Sequence, residues 1–419
     1  MKKVLILILL LLLPTNAYAM LSMLQGGSEG ADLATSGTEY LPARGGIDPD
    51  TTESTKQTLI SEAGMVKTFY VELRTAPGAG TTRTFTLRKN GSNQSLTVTI
   101  SGTDTTGSDL SNNFTVVAGD RLTISSTVTG TPAASVVFWS MLFDSSTAKR
   151  SILNGNRSTI STTVGNYVSL GGHTGTSIET SEFANEILIP TSGTIKNLYV
   201  ELSASPGASK SRAFTVYKNS LLTTLAKTVS DSDTTGNNTS DSFSVSAGDA
   251  IVILTSPSGT PSASDVYVCV TFEANNDGEF ILAMSTDDLV PGGTNTEFIQ
   301  VTSGDAFWWN TEASEFNQQQ LSDRCLIKNI YFETTGSGPG VGKSWVLTFR
   351  NASANSALTL TISESSISGN ASADVLVTAG SRITTQTVGV NTASSGGFSH
   401  ISYLAIIDVS EGDFVGVVA

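Results

Sequence analysis

The stretch IKNLYVELSASPGA at residues 195–208 decides the fold, because nearly the same words stand at 66–79 as VKTFYVELRTAPGA and at 327–340 as IKNIYFETTGSGPG. Tyr70, Tyr199 and Tyr331 are thereby equivalent. A repeat of roughly 130 residues is too long for a solenoid unit and has the size of a whole domain. The agreement runs on: RTFTLRKNG (83–91) matches RAFTVYKNS (212–220) and, more loosely, KSWVLTFRN (343–351). FTVVAGDRLTI (114–124) matches FSVSAGDAIVI (243–253) and VLVTAGSRITT (375–385). The third copy is the most diverged.

Within a copy, NLYVEL, AFTVYK, SFSVSA and DVYVCVTF alternate apolar and polar residues, as strands with one buried face do. Between them stand turn words such as SPGAS, DSDTTGNN and SAGD, at roughly ten-residue spacing. No sustained helical period occurs. The chain is therefore expected to be all-β: three tandem antiparallel β-sandwiches of about eight strands each, most simply jelly rolls.

The expected division is a signal peptide at 1–19, a flexible leader at 20–37, and repeats at 38–147, 148–276 and 277–419. The first segment carries Lys2 and Lys3, an apolar run from Val4 to Leu13, Pro14 and the small-x-small ending Ala17-Tyr18-Ala19. That run is shorter than the ~20 residues a spanning helix needs, and no later stretch is long and apolar enough, so no transmembrane anchor is expected. The protein is expected to be secreted, extracellular or at a cell surface. The leader is expected to be free to add as a strand to a neighbour.

Of the 419 residues only 14% are charged, and the formal net charge is −14, which makes a poor phosphate clamp and argues against nucleic acid. Two cysteines, Cys269 and Cys325, stand in apolar strand-like runs. They form either a disulfide or two separate buried thiols.

The order of words, GTIKNLYVEL, a Pro-Gly turn, FTVYKN, an Asp-Thr-Thr-Gly turn, SAGD and SGTP before a closing strand, resembles repeat modules of uncharacterised secreted bacterial and phage-associated surface proteins. It is similar, more loosely, to the jelly-roll head domains of collagen-like bacterial surface proteins. The third copy has Ser381 where the others have Asp120 and Asp249, and the chain has no collagen-like stalk. The resemblance implies structural or adhesive modules that often assemble as trimers, and it supplies no catalytic residue.

Chemistry in the sequence is sparse. The histidines, His173 and His400, each occur in one copy, outside any nucleophile-elbow word, and read as a loop and a strand-edge residue. No Cys/His cluster has zinc-ligand spacing. Glu72 and Glu201 recur with Glu333 in register, and a Glu beside Tyr-Val in an alternating strand reads as a solvent-facing position. Asp104 and Asp109, with Asp231 and Asp233, are candidates for weak Ca²⁺ binding or for turn formation. Phe307, Trp308 and Trp309 stand where the second copy is polar. They are a candidate platform for a sugar ring or protein partner, or a plug packed against the second copy or within their own core.

The sequence thus supports a secreted, non-enzymatic structural or adhesive surface protein whose partner is itself, as a homo-oligomer or filament, or a surface glycan or protein. The alternative is an extracellular carbohydrate-binding protein using the aromatic loop of the third copy.

Overall fold

The computed structural model describes residues 20–28, 30–172, 180–286, 290, 292–303, 310–311 and 318–407. Apart from two short 3₁₀ turns, Glu53–Lys56 and Phe183–Asn185, its regular elements are strands in sheets that are antiparallel but for the short pairing of Gly171–Gly172.

Copy one holds β1 (Met20–Gly27), β2 (Thr38–Pro42), β3 (Thr58–Leu59), β4 (Gly64–Leu73), β5 (Gly78–Lys89), β6 (Ser92–Gly102), β7 (Thr106–Val116), β8 (Arg121–Thr129) and β9 (Val137–Ser145). One sheet runs β1-β9-β4-β7 and the other β2-β8-β5-β6, with β3 also on β8. The chain crosses between the sheets after β1, β3, β4, β6, β7 and β8, which is how a jelly roll winds. The two-residue period explains the packing: Phe69, Val71 and Leu73 of β4 and Phe85 and Leu87 of β5 point inward and are buried, while their neighbours point out. Copies two and three repeat the plan, with Gly193–Leu202 and Cys325–Thr334 in the place of β4.

Residues 20–37 are not a free leader. β1 pairs with β9 along its whole length, from Met20 opposite Ser145 to Gly27 opposite Phe138. Its counterparts are Arg150–Ile160 on Ser264–Ala274 and Glu279–Thr286 on Ser399–Ile406. Gly26 is required here by close approach: a Cβ would stand 2.1 Å from the Gly45 carbonyl oxygen and 2.3 Å from the Trp139 ring. Gly155, its counterpart, is tighter still, with the Ser169 carbonyl oxygen at 1.7 Å.

The register also corrects the loose match at KSWVLTFRN. Arg83 pairs with Ile100 and Val128, and the residue so placed in copy three is Trp345, opposite Ile362 and Gly389, not Lys343. Arg83 and Arg212 are buried and donate to backbone carbonyls, including those of Ala133 and Ser262. Trp345 donates its indole N–H to the Ser394 carbonyl at 2.9 Å. The third copy thus keeps a buried donor but removes its charge, which lowers the desolvation cost.

The three copies pack against one another in sequence and close. The short strand β3 of copy one lies against copy two. Its counterpart in copy two, Ile187–Leu188, lies against copy three, and Gln319–Gln320 of copy three lies against β1, β4 and β9. The apolar cores follow the same cycle. Ile152 and Tyr267 of copy two join the core of copy one, Ile281 and Ala283 of copy three join that of copy two, and Met23 and Leu142 of copy one join that of copy three. Each junction uses one face of one copy and a different face of the next, and such head-to-tail contacts close when the rotation returns to its start. One chain therefore makes a pseudo-threefold ring. In place of trimerising subunits, the three positions are filled by three covalently joined copies.

Candidate functional site

Each of the three junctions buries polar side chains that bond between copies. At the first, Glu62 of copy one accepts from Arg150 (3.1 Å) and Asn197 (3.3 Å) of copy two, and Ser61 Oγ meets Thr271 Oγ1 at 3.0 Å. Arg44, buried, donates to Asn154 Oδ1 (3.2 Å) and to the Leu170 carbonyl (3.1 Å) of copy two, and burial lowers its pKa to about 10. At the third, Gln25 of copy one donates to Thr302 Oγ1 (2.9 Å) and Gln319 Oε1 (3.3 Å) of copy three. Buried polar groups paired in this way fix one register between the copies.

The recurring glutamates turn toward these junctions and are not solvent-facing. Glu201 pairs with Arg121 of copy one at 2.7 Å, and Glu72 with Arg382 of copy three at 3.6 Å. Burial raises the pKa of both carboxyls, opposed by the arginine charge. Arg121 lies opposite Leu59 and Arg382 opposite Gln320; the same place opposite Leu188 is Ala250. At the second junction Glu333 therefore faces no arginine at that position. Burial alone raises its pKa. Glu186, buried, stands where Arg121 meets the Gln57 side chain in the first junction. Its pKa is pushed up to about 7, first by burial and then by the charges of Glu182 and Glu333.

His400 is also a junction residue and not a strand-edge one. It lies opposite Glu333 in the sheet, as Tyr267 lies opposite Glu201 and Phe138 opposite Glu72. Its ring stacks on Phe183 of copy two at 4.2 Å, and its Nε2–H donates to the Phe183 carbonyl, which assigns the neutral Nε2–H tautomer. Tyr267 donates its hydroxyl to the Ser54 carbonyl in the corresponding place of the first junction. Burial lowers the His400 pKa to about 4.

The remaining sequence candidates are dispersed. Cys269 and Cys325 are free, buried thiols in different apolar clusters, so the structure does not bring them together as a disulfide. Cys269 donates to Ser61 Oγ at 3.2 Å, and burial pushes its thiol up to about 12, which leaves it protonated and unreactive. Asp109 accepts from the backbone N–H groups of Ser111 and Asn112 at the bulge of its own strand, and from that of Thr97 in the facing sheet, so its carboxylate is used structurally. Asp231 accepts from the Ser209 N–H at 2.7 Å, while Asp104 and Asp233 are exposed in the turns. Among the described residues no group of three or more His, Cys, Asp or Glu side chains could hold a metal ion. Phe307, Trp308, Trp309, His173 and residues 1–19 lie outside the described residues. No described helix is long and apolar enough to cross a membrane.

A scan against protein-family models finds no match to this chain, and a search of curated proteins finds none.

Proposed function

We propose that the chain is a secreted, non-enzymatic structural or adhesive module whose working unit is the ring of three copies. The observation that carries this reading is the cyclic exchange of core residues and buried polar pairs between copies. The titratable groups the fold gathers, Glu72, Glu201, Glu333, Glu186 and His400, lie between copies, where Glu72, Glu201 and His400 bond across the junctions. A ring of three related copies presents each surface loop three times about one axis, and linked weak sites gain avidity without new contacts. The strand edges and faces by which separate modules would trimerise are used within the chain. Its partner is then a surface, through repeated loops, and it needs no further copy of itself to complete a trimer.

The reading is tested by the retention of labelled mature protein on intact cells and matrix preparations, alongside its mass and its turnover of chromogenic glycosides and esters. Retention at one-chain mass with no turnover is expected. Hydrolysis of any such substrate would contradict the non-enzymatic reading, and no retention on any surface would contradict the adhesive one. Retention on a glycan array that disappears in Trp308→Ala would assign the ligand to carbohydrate.

A further inference from the structure

The three junctions are built alike, and one lacks its cation. In the first, the Arg121 guanidinium is held between Glu201 (2.7 Å) and Gln57 (3.4 Å). In the third, Arg382 occupies the same register position and meets Glu72. In the second, the arginine position is Ala250, the Glu201 position is Glu333, and the Gln57 position is Glu186. The neutral amide acceptor has become a second carboxylate while the cation has been deleted.

The chain does not refill the space. A cleft of about 430 Å³ opens there, lined by Leu188, Ala247, Gly248, Tyr331, Glu333 and Asn370, so it joins the two copies. That is far more than the roughly 30 Å³ a water occupies in the liquid. Glu333 lines the cleft, and Glu186, with 6% of its surface exposed, lies outside that lining but close enough to feel the Glu333 charge.

We propose that this cleft is a binding site for a guanidinium group supplied from outside the ring, taken up by Glu333 where the sister junctions hold Arg121 and Arg382. A planar guanidinium presents a fork of donors that matches carboxylate oxygens, and its binding would give Glu333 the cation that Glu201 and Glu72 already have. A bare Ca²⁺ is the poorer occupant, since it needs six to eight oxygens. The inference is independent of the adhesive reading and concerns a ligand class, an arginine side chain or a small guanidine.

The test is calorimetric titration of the full mature chain with N-acetyl-arginine amide, with the citrulline analogue as the uncharged isostere. The arginine compound is expected to bind and the citrulline compound not to. Glu333→Gln should weaken binding by about tenfold or more, as loss of a charge-assisted hydrogen bond does. Ala250→Arg should abolish binding while raising the melting temperature, because the chain then fills its own slot. Equal binding of both compounds, no binding of either, or unchanged binding to Ala250→Arg would overturn the proposal. So would an Ala250→Arg chain that fails to fold, since arginine fits the same place in both sister junctions. Calcium binding that N-acetyl-arginine amide does not compete away would also overturn it.

Discussion

At the scale of single residues, His400 and Glu186 make the second junction sensitive to pH in opposite senses. His400 is fully buried, with its pKa lowered to about 4, while an unfolded chain takes up the proton near 6.5. Its contribution is complete above that value and is lost as pH falls toward 4, with a loss on the order of 3 kcal/mol. Glu186 runs the other way. Its folded pKa of about 7 lies above the ordinary 4.5, so the stability it lends is full below 4.5 and disappears as pH rises through 7. The loss is roughly 2 kcal/mol, allowing for solvent screening. Denaturant midpoints taken across pH 4 to 8 separate the two. His400→Tyr, which copies Tyr267 and its hydrogen bond, should remove the acid loss, and Glu186→Gln should raise stability at pH 8 and leave it unchanged at pH 4. An unaltered acid limb in His400→Tyr would show that His400 is not the titrating group. The recurrence of Glu72, Glu201 and Glu333 was visible in the sequence, but their direction was not. An alternating strand declares two faces, and nothing local says that a neighbouring copy covers the outer one.

At the scale of elements, β1 is the part that was hardest to see and matters most to copy one. SMLQG at 22–26 is the counterpart of SILNG at 151–155, a match hidden by its position beside the apolar run at 4–13. Leu24 points into the core of copy one and Met23 into that of copy three, so this single strand serves two cores. Burying either side chain is worth about 2 kcal/mol. Leu24→Asp should therefore cost about 3 kcal/mol or more, since it also buries an unpaired charge, and urea unfolding would register it. A change within about 0.5 kcal/mol, typical of exposed positions, would return residues 20–27 to the status of a loose leader. The alternating strands and Gly-rich turns were legible because period and turn chemistry are local. The two-residue slip at Trp345 was not, because a shift by two keeps every side chain on its own face.

At the scale of the whole molecule, the threefold repeat in the sequence announced three similar domains but gave no sign of how they meet. Contacts between copies join residues far apart in sequence, 80 positions for Arg121 with Glu201 and 294 for Gln25 with Gln319, and they leave no periodic trace. The ring makes the copies interdependent, so the chain should unfold in one cooperative transition followed by calorimetry and by fluorescence alike, and separated transitions would mean independent beads. The closed arrangement itself is read most directly by small-angle X-ray scattering from the mature chain eluting from a sizing column. A ring of one chain predicts a radius of gyration of roughly 21 Å, the value for a compact body of about 400 residues. Three domains of about 14 Å each strung in a line would give roughly 30 Å, and that result at one-chain mass would contradict the ring.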